Sequence, residues 1–175
     1  DLSGPVSFEV RPLRDGSLEG ADPADAAAFW ARVEATQRSA SAARMALEEH
    51  RNRLEAMVVA LGRSTADPGD LDTDLEALRQ ELLDLDLQLN GHRSKRQVGE
   101  PRVPSIADRV GRTRSGVRSS TYGPTPNLER NLEIAEAQLQ DVVEQLNRIG
   151  RDTLPSLANR LQQAGAPWSP GQPIP

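Results

Sequence analysis

Three stretches of the chain repeat their buried-type residues at alternating spacings of three and four, which is the pattern of a helix that buries one face. Asp22-Pro23 and Thr125-Pro126 open the first and third stretches, since a polar side chain can cap a helix and proline suits its first position. Gly62 and Asn90-Gly91 end the first and second stretches. The seam positions are Phe29, Val33, Thr36, Ala40, Ala43, Leu47, His50, Leu54, Met57 and Leu61 in the first helix, Leu71, Leu75, Leu78, Leu82, Leu85 and Leu89 in the second, and Leu128, Leu132, Ala135, Leu139, Val142, Leu146 and Ile149 in the third.

The third seam changes its period near Pro155. Thr153, Leu157 and Leu161 follow one another at steps of four instead of alternating steps. A proline inside a helix removes one hydrogen bond and clashes with the preceding turn, so we expect a kink at this proline.

The lengths of these elements predict how they pack. The first and third helices have about 39 residues each, or roughly 58 Å at the rise of an α-helix. The second helix and a short amphipathic helix over residues 105–119 together supply a rod of similar length, with residues 92–104 as the loop between them. The sequence therefore predicts an all-α fold over residues 22–164, an elongated up-down-up three-helix bundle whose middle helix is broken.

The residues before the bundle have a different pattern. Val6, Phe8 and Val10 alternate with polar residues in the segment 6–13, which is typical of a half-buried strand. Because one strand leaves its backbone groups unpaired, we expect either the last strand of an upstream β domain or an arm lying on the helices. Residues 1–21 are thus predicted to form a short N-terminal β-strand arm and linker, in a chain excised or processed from a longer polypeptide.

Composition narrows the chemistry that the bundle can carry. Only five of the 175 residues are aromatic, so alanine and leucine have to fill the core, which favours helix-on-helix packing. The absence of cysteine excludes disulfides and thiolate sites. The net charge of -5 disfavours generic polyanion binding, and no apolar run is long enough to span a membrane.

One group of acids matches the ligand spacing of a calcium loop. Asp70, Asp72, Asp74, Glu76 and Glu81 occupy the first, third, fifth, seventh and twelfth positions of that pattern. The sixth position is Leu75, where the loop needs glycine, and Leu75 also belongs to the second seam. Acids are in any case favoured in the first turn of a helix. We therefore predict no metal site, with Asp70, Asp72, Asp74 and Glu81 as the candidate ligands to be checked.

The segment 91–118 is strongly basic, with eight basic residues against Glu100 and Asp108. Such a segment can bind phosphates, but it lacks the interleaved aromatic residues that stack on bases. We expect its charges to pair with the neighbouring acidic helices, and predict no nucleic-acid partner.

No catalytic motif accompanies these charges. His50 falls on the first seam and is expected in the core, whereas His92 is expected in a solvated loop. Neither histidine lies at ligand spacing, and no phosphate loop or nucleophile motif is present. The sequence predicts no catalytic residue and no cofactor.

The candidate interaction residues are aromatic. Phe29 and Trp30 are adjacent, so both cannot lie on one narrow seam and one of them is expected to face outward. Trp168 lies in the proline-rich tail 165–175, GAPWSPGQPIP, where the prolines prevent further helix. We expect the indole ring to dock on the bundle, with its N–H bonded to a partner.

The same tail, together with TYGPTP at residues 121–126 and LPSLANRLQQAG at residues 154–165, resembles the C-terminal helical region of large bacterial sortilin-like proteins. In that family a secreted β-propeller with Asp-box (BNR) repeats is followed by a small β domain and then helices. The resemblance implies an extracytoplasmic location, and it implies that VSFEVRPL is the last strand of the β domain. The glycosyl hydrolase label of such propellers does not transfer, because this chain contains no Asp-box.

These observations favour a non-catalytic helical interaction or structural module of a larger extracytoplasmic β-propeller protein. It would contact a protein partner or the upstream domains of the same polypeptide. One alternative is a self-associating coiled-coil element that builds a homo-oligomer or filament. Another is an accessory part of a glycosyl-hydrolase-like protein.

Overall fold

The predicted seams form helices in the computed structural model, which describes residues 4–9, 20–67, 69–120 and 122–172. The elements in chain order are α1 (Pro23–Leu61), α2 (Leu71–Asn90), α3 (Arg93–Gln97), α4 (Ile106–Arg118), α5 (Pro126–Arg148), a π-helical turn (Ile149–Thr153) and α6 (Leu154–Gln163). The predicted all-α fold of residues 22–164 is therefore confirmed.

Three of the helices, α1, α4 and α5, begin where the sequence places capping side chains. Asp22 accepts a hydrogen bond of 2.7 Å from the N–H of Ala24 at the start of α1, and the Thr125 hydroxyl accepts one from Leu128 in α5. Ser105 and Asp108 form a reciprocal capping box at the start of α4. Each of these contacts satisfies N–H groups that have no partner within the helix.

Contacts between helices show that α1 runs parallel to the rod formed by α5, the π turn and α6. Arg32 in the first third of α1 pairs with Glu136 of α5 at 2.6 Å. At the other end, the N–H of Ala66, just after α1, donates to the carbonyl of Ala164 at the end of α6. The early parts of the two rods therefore lie side by side, and so do their last parts.

The middle rod consists of α2 and α4 and is interrupted between them. It runs in the opposite direction to α1. Arg51 of α1 pairs with Asp86 of α2, whereas Arg44, earlier in α1, reaches Asn90 at the end of α2. Gly91 then approaches Ser105, so α4 starts close to where α2 stops. Residues 91–105 leave the rod and return to it, and α4 continues beside α5.

The core is built from the seams. All six predicted α2 leucines are buried, and so are the α1 seam positions from Phe29 to Met57. At the end of α1, Ala60 is buried and Leu61 is only partly buried. A smaller group of Phe29, Val33 and Leu132 packs with Val117 at the start of α1. Burying one such side chain contributes about 1.5–3 kcal/mol, so the seams supply the main stabilisation.

The break in the third seam is a π turn that precedes the proline. Ile149 and Leu154 lie five positions apart and are both fully buried. A π turn provides this spacing. The predicted continuation through Thr153 is wrong, because Leu154 takes the core position and Thr153 is only partly buried. Pro155 consequently falls in the first turn of α6, where its missing N–H costs little.

His50 packs directly against this π turn, in the core as predicted. Its Nε2 lies 3.0 Å from the carbonyl oxygen of Leu146, and since a carbonyl only accepts, Nε2 carries the proton. Gly150 makes the approach possible, because a Cβ there would lie 3.0 Å from Cε1 of the ring. The small glycine of the π turn therefore leaves the space that the histidine ring of α1 fills.

The structure does not support the predicted N-terminal strand in the residues that it describes. Residues 4–9 form no strand, and Val6 and Phe8 are 77% and 85% exposed. The physical reason is that an alternating segment needs a neighbouring strand for its backbone groups, and the described part of the chain offers none. Residues 10–13 of the predicted strand lie outside the described residues.

The surroundings of Asp108, in the capping box of α4, shift the pKa of its carboxyl group. Burial by itself raises the pKa of the Asp108 carboxyl, but hydrogen bonds from the backbone and hydroxyl of Ser105, together with the Arg102 guanidinium, outweigh it and hold the pKa below its usual value. The ionised form is therefore favoured in the folded chain.

Replacing Gly150 by alanine tests the match with His50. Alanine normally stabilises a helical position by about 0.5–1 kcal/mol relative to glycine, and we expect that gain for Gly111→Ala in α4, where the added methyl meets nothing. Gly150→Ala should instead lower the melting temperature, because the fixed His50 ring occupies the space. If Gly150→Ala remains destabilising in a His50→Ala background, the contact is not the cause.

Acid titration tests the capping box of α4. Because the folded pKa of Asp108 is depressed, its contribution is present above the unfolded value of about 3.9 and is lost as the pH falls through the folded pKa. The free energy of unfolding of the natural chain should exceed that of Asp108→Asn by a few tenths to about 1 kcal/mol near pH 6, and the difference should shrink below about pH 4. Asp141→Asn, which removes an exposed carboxylate of α5, is the control and should show no such convergence.

Candidate functional site

Two surface features stand out, and the first is the tail that follows α6. Gly165 has a φ of 68° and reverses the chain, with the N–H of Ala166 bonded back to the carbonyl of Leu161 at 3.0 Å. A Cβ at Gly165 would lie 2.2 Å from the hydroxyl oxygen of Thr65, so the tail passes close to the end of α1. Only glycine allows both the turn and this approach.

Gln172 fastens the tail to α6. Its side-chain N–H donates to the carbonyl of Ala158 at 2.9 Å, and its side-chain oxygen accepts from the N–H of Ser169. Its backbone carbonyl accepts from the indole N–H of Trp168 at 3.2 Å. These three bonds fix the segment between Trp168 and Gln172 as a single turn.

The tail docks through a different side chain from the one predicted. Ser169 is buried, whereas Trp168 remains 53% exposed. The indole N–H has a partner, as expected, but that partner lies in the tail and not on the bundle. The ring is turned outward because the turn closed by Gln172 directs Ser169 toward the core instead.

The other two aromatic candidates lie on α1. Phe29 is buried with Val33 and Leu132, so it is not available for an external contact. The small apolar group at the start of α1 encloses the ring, so Phe29 is the member of the adjacent pair that occupies the seam. Trp30 is half-buried.

The acidic candidates lie on a continuous helix. Asp70 precedes α2, and Asp72 and Asp74 fall in its first turn, with Leu75 buried. Asp74 pairs with Arg160, and Glu81 pairs with Arg148. Within the described ranges, no three His, Asp or Glu side chains converge closely enough to hold a metal ion. Asp74 and Glu81 instead connect α2 to the third rod.

The basic segment is paired differently from what its position suggested. Lys95 pairs with Glu100, and Arg102 with Asp108, so both ion pairs stay within the segment. Arg109 bonds to the amide of Asn131 and not to a carboxylate. Other arginines of the segment, namely Arg93, Arg112, Arg114 and Arg118, form no hydrogen bond or ion pair through their side chains with any described residue. Pairing with the acidic helices is thus not observed.

The second feature is a cleft of about 860 Å³ between α1, the end of α2 and α3. We call it the basic cleft and define it by Arg44, Arg51, Asp86, Asn90, Arg93 and Arg96. A second hollow of about 540 Å³ shares most of these residues and adds Glu48 and Glu55 of α1. Four guanidinium groups, two from α1 and two from the short helix α3, therefore border a single space.

Asn90 organises the basic cleft. Its side-chain oxygen accepts from Nε of Arg44 at 2.9 Å, and its backbone carbonyl accepts from a terminal nitrogen of Arg96 at 2.7 Å. Its side-chain N–H donates to Asp86 at 2.7 Å, and Asp86 also accepts from Arg51 at 3.2 Å. Asn90 thus holds one arginine through its side chain and another through its backbone carbonyl, and it orients the carboxylate that neutralises a third.

Sequence reasoning found only part of this cleft. The segment 91–118 was recognised as basic, but Arg44 and Arg51 of α1 were not singled out. Their spacing of seven residues places them on the same flank of the first seam. That spacing was a usable signal, but the sequence does not show that the end of α2 faces this flank.

The chain matches no family model, curated protein or solved structure among those with which it was compared. The resemblance to the helical region of sortilin-like proteins therefore stays a prediction. Among the described helices, none combines the length and the apolar character needed to cross a lipid bilayer.

Truncating Gln172 tests whether its side chain holds the tail. Gln172→Ala removes the bonds to Ala158 and to the N–H of Ser169, so amide hydrogen exchange at Ser169 should become at least tenfold faster. Gln163→Ala, at an exposed position of α6, is the matched control and should leave that rate unchanged. Unchanged exchange in Gln172→Ala would show that the tail is held by other contacts.

Proposed function

We propose that this chain is a non-catalytic helical module that mediates protein–protein contact through a surface centred on Trp168. The partner is an upstream domain of the same extracytoplasmic polypeptide, in which a β-propeller precedes the helices. The observation that carries the proposal is an exposed tryptophan held in a fixed position by its own tail.

The physics of protein interfaces supports a role for Trp168. Tryptophan is enriched among the residues that contribute most to binding, since its ring buries a large area and its N–H can still be satisfied. The bonds made by Gln172 and the flanking Pro167 and Pro170 restrict the segment before any partner arrives. Little conformational entropy is then lost on binding, which favours affinity.

The state of the potentially reactive groups supports a non-catalytic role. The His50 ring is enclosed in the core and donates to the Leu146 carbonyl, so it serves a structural contact and does not face a substrate. Asp74 and Glu81 are engaged with arginines of the third rod. Catalysis requires acids, bases or nucleophiles that converge on a substrate, and these groups serve instead to join helices.

The extracytoplasmic location and the β-propeller neighbour rest on the sequence resemblance carried by the tail. The alternative that the chain is an accessory part of a glycosyl-hydrolase-like protein rests on the same resemblance. In both cases the helical module supplies a contact surface and the propeller supplies any reaction.

One observation favours self-association as a second candidate function. Leu83 and Leu87 of α2 are four residues apart on one face, and both remain more than a third exposed. Apolar pairs at this spacing are used in helix–helix contacts. Such a pair could join two copies of the bundle side by side.

A binding measurement in trans tests the proposed contact. The probe is the propeller-bearing region that the proposal places before residue 1, produced as a separate protein and titrated against the isolated chain. We expect saturable binding that Trp168→Ala weakens at least tenfold, because it removes the exposed indole ring of the tail.

Val103→Ala is the control, since Val103 is 80% exposed in the loop before α4 and lies outside the tail. Equal affinity for the natural chain and Trp168→Ala would contradict the proposed surface.

Sedimentation of the isolated chain tests the second candidate function, self-association. A mass that rises with concentration and returns to that of a monomer in Leu83→Gln would favour self-association.

A further inference from the structure

We propose that the basic cleft binds a small polyvalent oxyanion, meaning a ligand with two or more phosphate or sulfate groups. The inference is independent of the contact proposed for Trp168, because the cleft is built by other residues of α1, α2 and α3. It rests on the charge of the cleft, on the donors left available there and on the character of its lining.

The cleft is a positive region on an acidic protein. The whole chain carries a net charge of -5, yet four arginines and one carboxylate, Asp86, border this space. Asp86 accepts from Arg51 and thereby offsets one of the four charges. The positive charges of Arg44, Arg93 and Arg96 remain, and like charges gathered beside one cleft attract an anion.

The hydrogen bonds inside the cleft leave most guanidinium donors available. Arg44 uses its Nε on Asn90, so both of its terminal nitrogens are left without a partner among the described residues. Arg96 uses one terminal nitrogen on the Asn90 carbonyl and retains the other. The Arg93 side chain forms no bond to any described residue. Guanidinium groups bind phosphate and sulfate oxygens in pairs of parallel hydrogen bonds.

The two arginines bonded to Asn90 are held for such a ligand. Both contact the same residue, one through its side chain and one through its backbone, at 2.9 and 2.7 Å. Their remaining donors are therefore brought within the span of one short ligand. Because Asn90 restricts the two side chains in advance, less conformational entropy is lost when an anion binds.

The lining selects the class of anion. Among the described lining residues Leu87 is the only large apolar one, and His92 carries the only aromatic ring. Without a phenylalanine, tyrosine or tryptophan, the cleft lacks the stacking surfaces typical of sites for nucleic-acid bases. Glu48 and Glu55 border the adjoining hollow and would repel a long acidic polymer that continued into it. A volume of about 860 Å³ accommodates a small molecule with several anionic groups.

Calorimetric titration of the full chain tests the proposal with two probes, inorganic tripolyphosphate and sucrose octasulfate, at 150 mM salt. We expect one-to-one saturable binding of at least one probe, and the tighter probe identifies the phosphate or the sulfate source. Arg93→Gln should weaken that binding at least tenfold without changing the melting temperature, because Arg93 has no structural partner in the described chain. The double variant Arg44→Gln/Arg96→Gln should weaken it further.

The matched control is Arg112→Gln/Arg114→Gln on the exposed face of α4, which removes the same number of charges outside the cleft. Its affinity should stay within twofold of that of the natural chain. A loss as large as that of the cleft variants would overturn the proposal, since the attraction would then be general. Failure of both probes to bind saturably would overturn it as well.

Discussion

Burial of the three heptad seams is the constraint on which the rest of the molecule depends. The six seam leucines of α2 lie between α1 and the third rod and are almost fully enclosed. With few aromatic residues in the chain, the core has to be filled by leucine and alanine in register, because close packing provides both the hydrophobic and the dispersion contributions. Any break in a rod has to be accommodated without disturbing this register.

The π turn is one such accommodation. An extra residue between Ile149 and Leu154 would rotate the following apolar positions away from the core in a regular α-helix. The wider turn absorbs that residue, so Leu154 returns to the core and Pro155 falls where its missing N–H is tolerated. His50 fills the space beside the turn, which Gly150 leaves open. The buried seam, Pro155, Gly150 and His50 therefore depend on one another at this turn.

Both candidate surfaces lie where a rod stops. The basic cleft forms because α2 ends beside the middle of α1, and the chain leaves the bundle there before α4 resumes. The tail surface forms because Gly165 reverses the chain after α6 and the Gln172 side chain bonds the tail back to α6. Side chains at such breaks are not consumed by helix packing, so they remain available for an external ligand or partner.

The sequence by itself determined the helices and their buried faces, since capping residues and apolar spacing act locally and can be recognised without knowing any neighbour. It also showed the irregularity near Pro155, although not that a π turn would place Leu154 rather than Thr153 in the core. Only the tertiary structure decided that Arg44 and Arg51 meet Arg93 and Arg96, because residues distant in sequence are brought together by where α2 stops along α1. It likewise decided that Ser169 is buried and Trp168 is exposed, since the direction of the tail depends on bonds between Gln172 and α6 that no local pattern specifies.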